Sequence, residues 1–334
     1  MKTHKNLFQE VCKYENLHHA YLKARRGKKD VAEVLKFNYN LEDELLKLQY
    51  ELKNQIYRTG KYRNFIIFEP KERKISALPF RDRIIHHAVC SVIEPIFEKK
   101  FIYDSYACRK TKGTHAGANR IQKFIRKTGN NYYVLKCDVS KYFPSVNHEI
   151  LKQIIREKIA DKKLLQLLDN IIDSAEKGIP IGNLTSQLFA NIYLNKLDEY
   201  IKYELKIKYY IRYMDDFILL HESKQYLHEV KEKIKLLFAS MKLTLHPKKA
   251  NIFPITLGID FLGYRIFNAH RLVRKSTVKR FLKNTKRKLK KYDSGAMDFD
   301  KLMESFNSWE SYLSHGNSYA LKKSLYQGYF KNVM

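Results

Sequence analysis

Residues 208–221 read KYYIRYMDDFILLH, two apolar and aromatic runs divided by Met214, Asp215 and Asp216. Runs of this length and composition predict paired strands at 208–213 and 217–221, a hairpin with acids at its tip. Upstream, YYVLKC at 132–137 predicts a buried strand that ends at Asp138. Carboxylates at the ends of adjacent strands can converge, and like charges brought close repel unless a cation neutralises them. Mg²⁺ suits such a cluster, because it takes a few carboxylate oxygens and fills its remaining positions with phosphate and water. A pair of such ions can activate a hydroxyl and stabilise a leaving pyrophosphate. Alone, Asp138 reads as a strand-end cap and a DD pair as a solvated turn. The conjunction decides.

The surrounding pattern predicts an α+β fold with helices on one face of a small antiparallel sheet. Helices are expected at 148–159, 162–174, 185–200 and 224–240, with GIPIGN at 178–183 breaking the pattern. A short strand near Leu243 and a single strand over 259–267 complete this portion. Ahead of it, Leu41, Leu45, Leu48 and Leu52 recur at helical spacing within a helical region spanning 1–58. Residues 62–78 turn extended, interrupted at Pro70, and a helix is expected at 82–97. Beyond the sheet, residues 271–291 hold eleven Lys or Arg and no acid, with Val278, Phe281, Leu282, Thr285 and Leu289 in one helical stripe. That composition predicts a phosphate-tracking helix rather than an ordinary solvated face.

Across 334 residues, 64 Lys and Arg stand against 35 Asp and Glu, a net charge of +29 that draws polyanions. Nucleic acid is the leading candidate and an anionic membrane surface the weaker one. No apolar run is long enough to span a bilayer, and the N-terminal MKTHKNLFQEVCKYENL has no secretory h-region. Cys12, Cys90, Cys108 and Cys137 lack CxxC-type spacing, so reduced thiols in a cytoplasmic protein are expected, without a zinc site or disulfides.

YMDD at 213–216, set in IRYMDDFILL, resembles the catalytic signature of reverse transcriptases. YVLKCDVSKYFPSV at 133–146 resembles that family's other palm motif, and EPKERKISALPFRDR at 69–83 its fingers motif. LTLHPKKANIF at 243–253 and IDFLGYRIF at 259–267 resemble the lysine-bearing motif and the strand that grips the primer. Five motifs in order are a far stronger signal than four letters. The resemblance implies a right-hand polymerase: residues 1–60 the helical part of the fingers, 61–269 the fingers and palm, 270–334 a short basic helical thumb. It implies two Mg²⁺ ions, with Mn²⁺ a substitute, held by Asp138, Val139, Asp215 and Asp216, the last in a supporting role. It further implies Lys71 and Arg73 at the nucleotide triphosphate, Phe143 as an aromatic gate against the ribose 2′-hydroxyl, and Lys248 or Lys249 near the leaving pyrophosphate.

Most relatives carry Gln-Gly-x-x-x-Ser-Pro before the hairpin, where this chain has Ile181-Gly182-Asn183-Leu184-Thr185-Ser186-Gln187. Loss of the leading Gln and the closing Pro resembles the reverse transcriptases of diversity-generating retroelements. SYACRKTKGTHAGA at 105–118 and SWESYLSHGNSYALKK at 308–323 also resemble them. Ile181 offers shape but no hydrogen bond at the nucleotide. The implied activity is therefore RNA-directed DNA synthesis on a template-repeat RNA, error-prone opposite adenines. Its implied partners are the RNA template, a cDNA or RNA primer, dNTPs and an oligomeric accessory variability protein, in a prokaryotic or phage-encoded setting. Nothing resembles an RNase H, HNH or integrase domain. The alternatives are a retron, abortive-infection or group II intron enzyme, and a non-catalytic RNA-binding protein with a polymerase-like shell.

Overall fold

The computed structural model describes residues 3–68 and 71–325. The leucine spacing is realised in the N-terminal helices Tyr14–Ala24 and Leu41–Lys53, which bury Leu17, Tyr21, Leu45, Leu48 and Leu52 in one core with the long helix Phe80–Glu98. Between them, strands β1 (Arg63–Phe68) and β2 (Glu72–Ala77) pair antiparallel, Phe65 opposite Ile75 and Ile67 opposite Arg73. The expected break at Pro70 lies outside the described residues. Little of this ribbon is buried, so its position depends on a main-chain tether: Ser76 N donates to Ile181 O at 2.9 Å.

Strand β3 (Tyr133–Asp138) runs between β5 (Asp216–His221) and β6 (Asn251–Pro254), and β4 (Tyr209–Tyr213) lies outside β5. All neighbours are antiparallel. Alternation sends Leu135, Cys137, Tyr210, Phe217 and Leu219 into one core, with helices Leu184–Glu199 and Lys224–Ser240. The first of these helices is buried on nearly every side, as a central helix must be. Val134, Ile211, Ile218 and Leu220 face a second core.

That second core corrects the expectation of a sheet with helices on one face. Helix Thr114–Thr128 and a three-stranded sheet, β7 (Ile259–Phe261), β8 (Tyr264–Ile266) and β9 (Arg271–Val273), cover the other face. This helix was not among those expected from the sequence, although Gly117, Ala118, Ile121, Phe124 and Ile125 make one apolar face between Arg120, Lys123, Arg126 and Lys127. The single strand expected over 259–267 is folded in two at Leu262 (φ 52°) and Gly263 (φ 89°), the paired positive dihedrals of a tight hairpin turn. The strand expected near Leu243 shrinks to one bridge between Leu245 and Val139, and β6 takes the place beside β3 instead.

The basic segment forms helix Lys275–Asp293, packed on helix Phe299–Ser314 through a stack of Phe281 on Trp309 at 4.1 Å. Among the described residues no helix is long and apolar enough to cross a membrane.

Candidate active site

Antiparallel register sets Asp138 at the end of β3 directly opposite Asp216 at the start of β5. Asp215 occupies the two-residue turn before β5, and its carbonyl accepts from Val139 N at 3.2 Å. Turn geometry here is strained: Met214 has φ 55° at the first central position, which hairpins ordinarily give to glycine. The three acids thus come from two strand ends and one turn: the sequence pattern places both Asp215 and Asp216 at the hairpin tip, whereas Asp216 already pairs as the first residue of β5 and Asp215 alone stays in the turn.

Two lysines answer their charge. Lys249 Nζ donates to Asp138 Oδ2 at 2.7 Å. Lys136 Nζ lies 3.4 Å from Asp216 Oδ2 and also donates to the Asp260 carbonyl of β7. Burial nonetheless pushes the Asp216 carboxyl up to about 6, against the pull of Lys136, and Asp138 and Asp215 add to the rise. Burial followed by Asp138 raises Asp215, with Lys249 and Arg73 pulling the other way. Among the described residues no three His, Cys, Asp or Glu side chains form a ready metal cage. Asp138 and Asp216 each hold an amine instead, which relieves the repulsion among the acids. The donor chemistry still suits a hard divalent cation: oxygen ligands alone, and a buried Asp216 Oδ1 with no hydrogen-bond partner.

Other expected residues divide. Arg73, on β2, acts on Asp215 across the space between ribbon and sheet, while Lys71 stands exposed just before β2. Of the lysine pair, Lys249 rather than Lys248 reaches an acid, because the turn that follows His246 leaves Lys248 exposed. Phe143 is half-buried beside Tyr142, their rings 5.7 Å apart, and its carbonyl accepts from Ile179 N at 2.9 Å. Ile181 is half-buried at the start of the loop tethered to β2.

Sequence reasoning missed the ion pair behind the turn. Arg212 and Asp198 are both fully buried, joined by bonds of 2.7 Å from Nε and 2.5 Å from Nη2. The signal was present: strand alternation puts Arg212 on the same inward face as Tyr210. Lys136 was missed for the opposite reason, since a lone lysine in a strand reads as solvated.

A groove of about 1020 Å³ opens between the β7–β8 turn and helices Lys275–Asp293 and Phe299–Ser314, lined by Lys279, Arg280, Lys283 and Arg287. His115 and His315 stack at 3.7 Å, joining the 105–118 and 308–323 segments.

A family model described as reverse transcriptase (RNA-dependent DNA polymerase) matches residues 63–266, which takes in the whole acid-bearing sheet. The chain belongs to the reverse transcriptase family. Among its relatives is protein YkfC of Escherichia coli strain K12, 28% identical over 250 residues, with 61% of this chain and 64% of that protein covered. Another is the group II intron-encoded protein LtrA of Lactococcus lactis subsp. cremoris, 25% identical over 325 residues, with 74% and 53% covered. The chain spans less than two thirds of either relative. In fold, it is similar to apo telomerase from Candida tropicalis truncated from its C-terminal domain (TM-score 0.51, 15% identity, 68% of this chain and 59% of that one). Apo telomerase from the same organism matches at TM-score 0.50 and 12% identity, covering 65% and 49%. Within the reverse transcriptase match lie Arg73, Asp138, Phe143, Ile181, Asp215, Asp216 and Lys249, whereas the helices lining the groove lie beyond it.

Proposed function

We propose that this reverse transcriptase family member is an RNA-directed DNA polymerase, with residues 1–60 and the β1–β2 ribbon as fingers, the four-stranded sheet as palm and 270–334 as thumb. The observation that carries the reading is the meeting of Asp138, Asp215 and Asp216 at one end of that sheet, in electrostatic reach of Arg73 and Lys249. Asp138 and Asp215, with the Val139 carbonyl, would hold divalent ions, and Asp216 would support them. Such ions, Mg²⁺ or Mn²⁺, supply an acidified primer hydroxyl and a neutralised pyrophosphate when bound.

The chain's own residues do the rest. Arg73 and Lys71 meet the incoming triphosphate, where fixed cations stabilise developing charge. Lys249, paired with Asp138 at 2.7 Å, would meet the leaving pyrophosphate when Asp138 serves as a metal ligand. Phe143 closes the space a 2′-hydroxyl needs. Lys279, Lys283 and Arg287 track template and primer phosphates along the groove.

For the subtype we infer a diversity-generating retroelement enzyme, working on a template-repeat RNA with an accessory variability protein. Supporting it are Ile181 in place of Gln and the two distinctive segments that meet at the His115–His315 stack. A polar interaction missing at the nucleotide costs on the order of 1 kcal/mol of discrimination. A group II intron-type enzyme is the second reading, favoured by the match to LtrA.

Extension of a DNA primer on RNA and on DNA templates, with dNTPs and Mg²⁺, tests the activity. Mg²⁺-dependent, templated extension on RNA is expected; nucleotide addition that ignores the template overturns the reading. An Ile181→Gln variant that gains accuracy opposite adenine supports the subtype, and one that does not removes Ile181 from it.

A further inference from the structure

We propose that Arg212 is a positioning residue that holds the strained acid-bearing turn in its working shape, an inference that rests on the polymerase reading above. Two observations meet here. The first is the turn: Met214, not glycine, takes φ 55°, a conformation that costs about 1–3 kcal/mol and persists only when its surroundings impose it. The second is the partner behind it. Arg212 Nη1 donates to the Met214 carbonyl at 3.1 Å, and Val139 N donates to the next carbonyl, that of Asp215, at 3.2 Å. Both carbonyls of the turn are therefore clamped, one by the Arg212 side chain and one by the Val139 amide just past β3.

Arg212 is itself immobilised from every side. Asp198 takes Nε and Nη2, and Asn191 Oδ1 shares Nη1 at 3.2 Å. Tyr210 OH donates to Asp198 Oδ1 at 2.6 Å, and the Asn191 amide donates onward to Ala107 O at 2.9 Å. Its backbone is bracketed too: Arg212 N donates to Asp104 O, and Tyr106 N to Arg212 O, each at 2.9 Å.

Stability gives no reason for this arrangement. Desolvating a guanidinium and a carboxylate in a wholly buried site offsets much of their attraction, and apolar residues of similar volume are often as stable or more so. What an apolar residue cannot do is donate to the Met214 carbonyl. A rigid, planar guanidinium fixed by a bidentate carboxylate can, with one nitrogen left over for the turn.

The test separates holding the fold from holding the turn. Arg212→Met, Asp198→Leu and Tyr210→Phe are combined so that no buried charge is left unpaired, while Asn191 Oδ1 and the Met214 carbonyl each lose one donor. Thermal melting, template–primer affinity at fixed salt, and single-turnover addition of one dNTP are then measured against wild type. The inference expects melting at or near the wild-type temperature, unchanged template–primer affinity, an unchanged KM for dNTP, and a rate of addition about tenfold to hundredfold lower. A triple variant that adds nucleotide at the wild-type rate overturns it. Should the triple variant not fold, Arg212→Lys decides: it keeps the charge beside Asp198 but does not reach Met214. Folded and slow supports the inference, and folded at the wild-type rate overturns it. A wild-type protein that extends no primer overturns the polymerase reading and this inference together, an outcome distinct from failure of the turn alone.

Discussion

Replacing Gly178 with alanine should weaken the fold and loosen sugar selection together. Gly178 has φ +65°, and a Cβ there would lie 2.6 Å from Pro144 Cα and closer still to the Phe143 carbonyl. The left-handed backbone alone costs an alanine about 1 kcal/mol. Overlap with main-chain atoms adds about 1–3 kcal/mol, because backbone cannot swing aside as a side chain can. The whole, about 2–4 kcal/mol, predicts a melting temperature lower by about 3–6 °C. Relief must come from moving the short helix Tyr142–Ser145 away, since His148 Nε2 holds the Gly178 side through the Gly178 carbonyl, and that movement stretches the bond from Ile179 N to the Phe143 carbonyl. Phe143 moves with that helix. Its exclusion of ribonucleotides should fall by about tenfold, the scale on which a small change in apolar fit acts. Melting curves and paired dNTP and rNTP incorporation rates are the assays. An alanine variant that melts like wild type would refute the packing argument, and one that melts low but rejects rNTP fully would refute the role of Phe143.

Three further outcomes follow from the structure. Lys249→Met should slow nucleotide addition about tenfold while leaving the melting temperature within about 2 °C, since a half-exposed ion pair contributes about 0–1 kcal/mol; a lower melting temperature with a normal rate contradicts this. Replacing Lys279, Lys283 and Arg287 with alanine should reduce the slope of log affinity against log salt by about 2–3, close to 0.9 for each phosphate no longer neutralised; an unchanged slope means the groove does not carry the nucleic acid. His86 is buried, bonded through Nδ1 to Thr185 at 2.9 Å, and burial pushes it down to about 3. Its folded value lies below the ordinary 6.5, so the stability it allows is full above pH 6.5 and is lost as pH falls toward 3. Denaturant titrations should show wild type losing about 1.4 kcal/mol more than His86→Gln for each pH unit in that window; parallel pH profiles would contradict it.

The acid-bearing hairpin and the strand ending at Asp138 were legible because two-residue periodicity and sequence order survive without knowledge of the fold. The N-terminal leucine stripe was legible for the same kind of reason. What the sequence hid was set by tertiary packing. Helix Thr114–Thr128 carries a legible apolar stripe at Ala118, Ile121, Phe124 and Ile125, but which face of the sheet that stripe covers is set by tertiary packing. The split at Leu262 and Gly263 hid because a leucine rarely takes a positive φ. Arg212 and Lys136 hid because their partners, Asp198 and Asp216, are distant in sequence or carry another apparent role. The choice of Lys249 over Lys248 turns on one residue of phase in a turn, which composition does not encode.

Asp138 and Asp215 together are proposed to support metal-dependent addition of nucleotides to a primer. Single-turnover extension by Asp138→Asn and Asp215→Asn, with template–primer affinity measured on the same preparations, addresses it directly. Binding should be unimpaired and the rate about a hundredfold to a thousandfold lower for each, the scale on which losing an electrostatic catalytic group acts. Near-normal extension by either variant would contradict it.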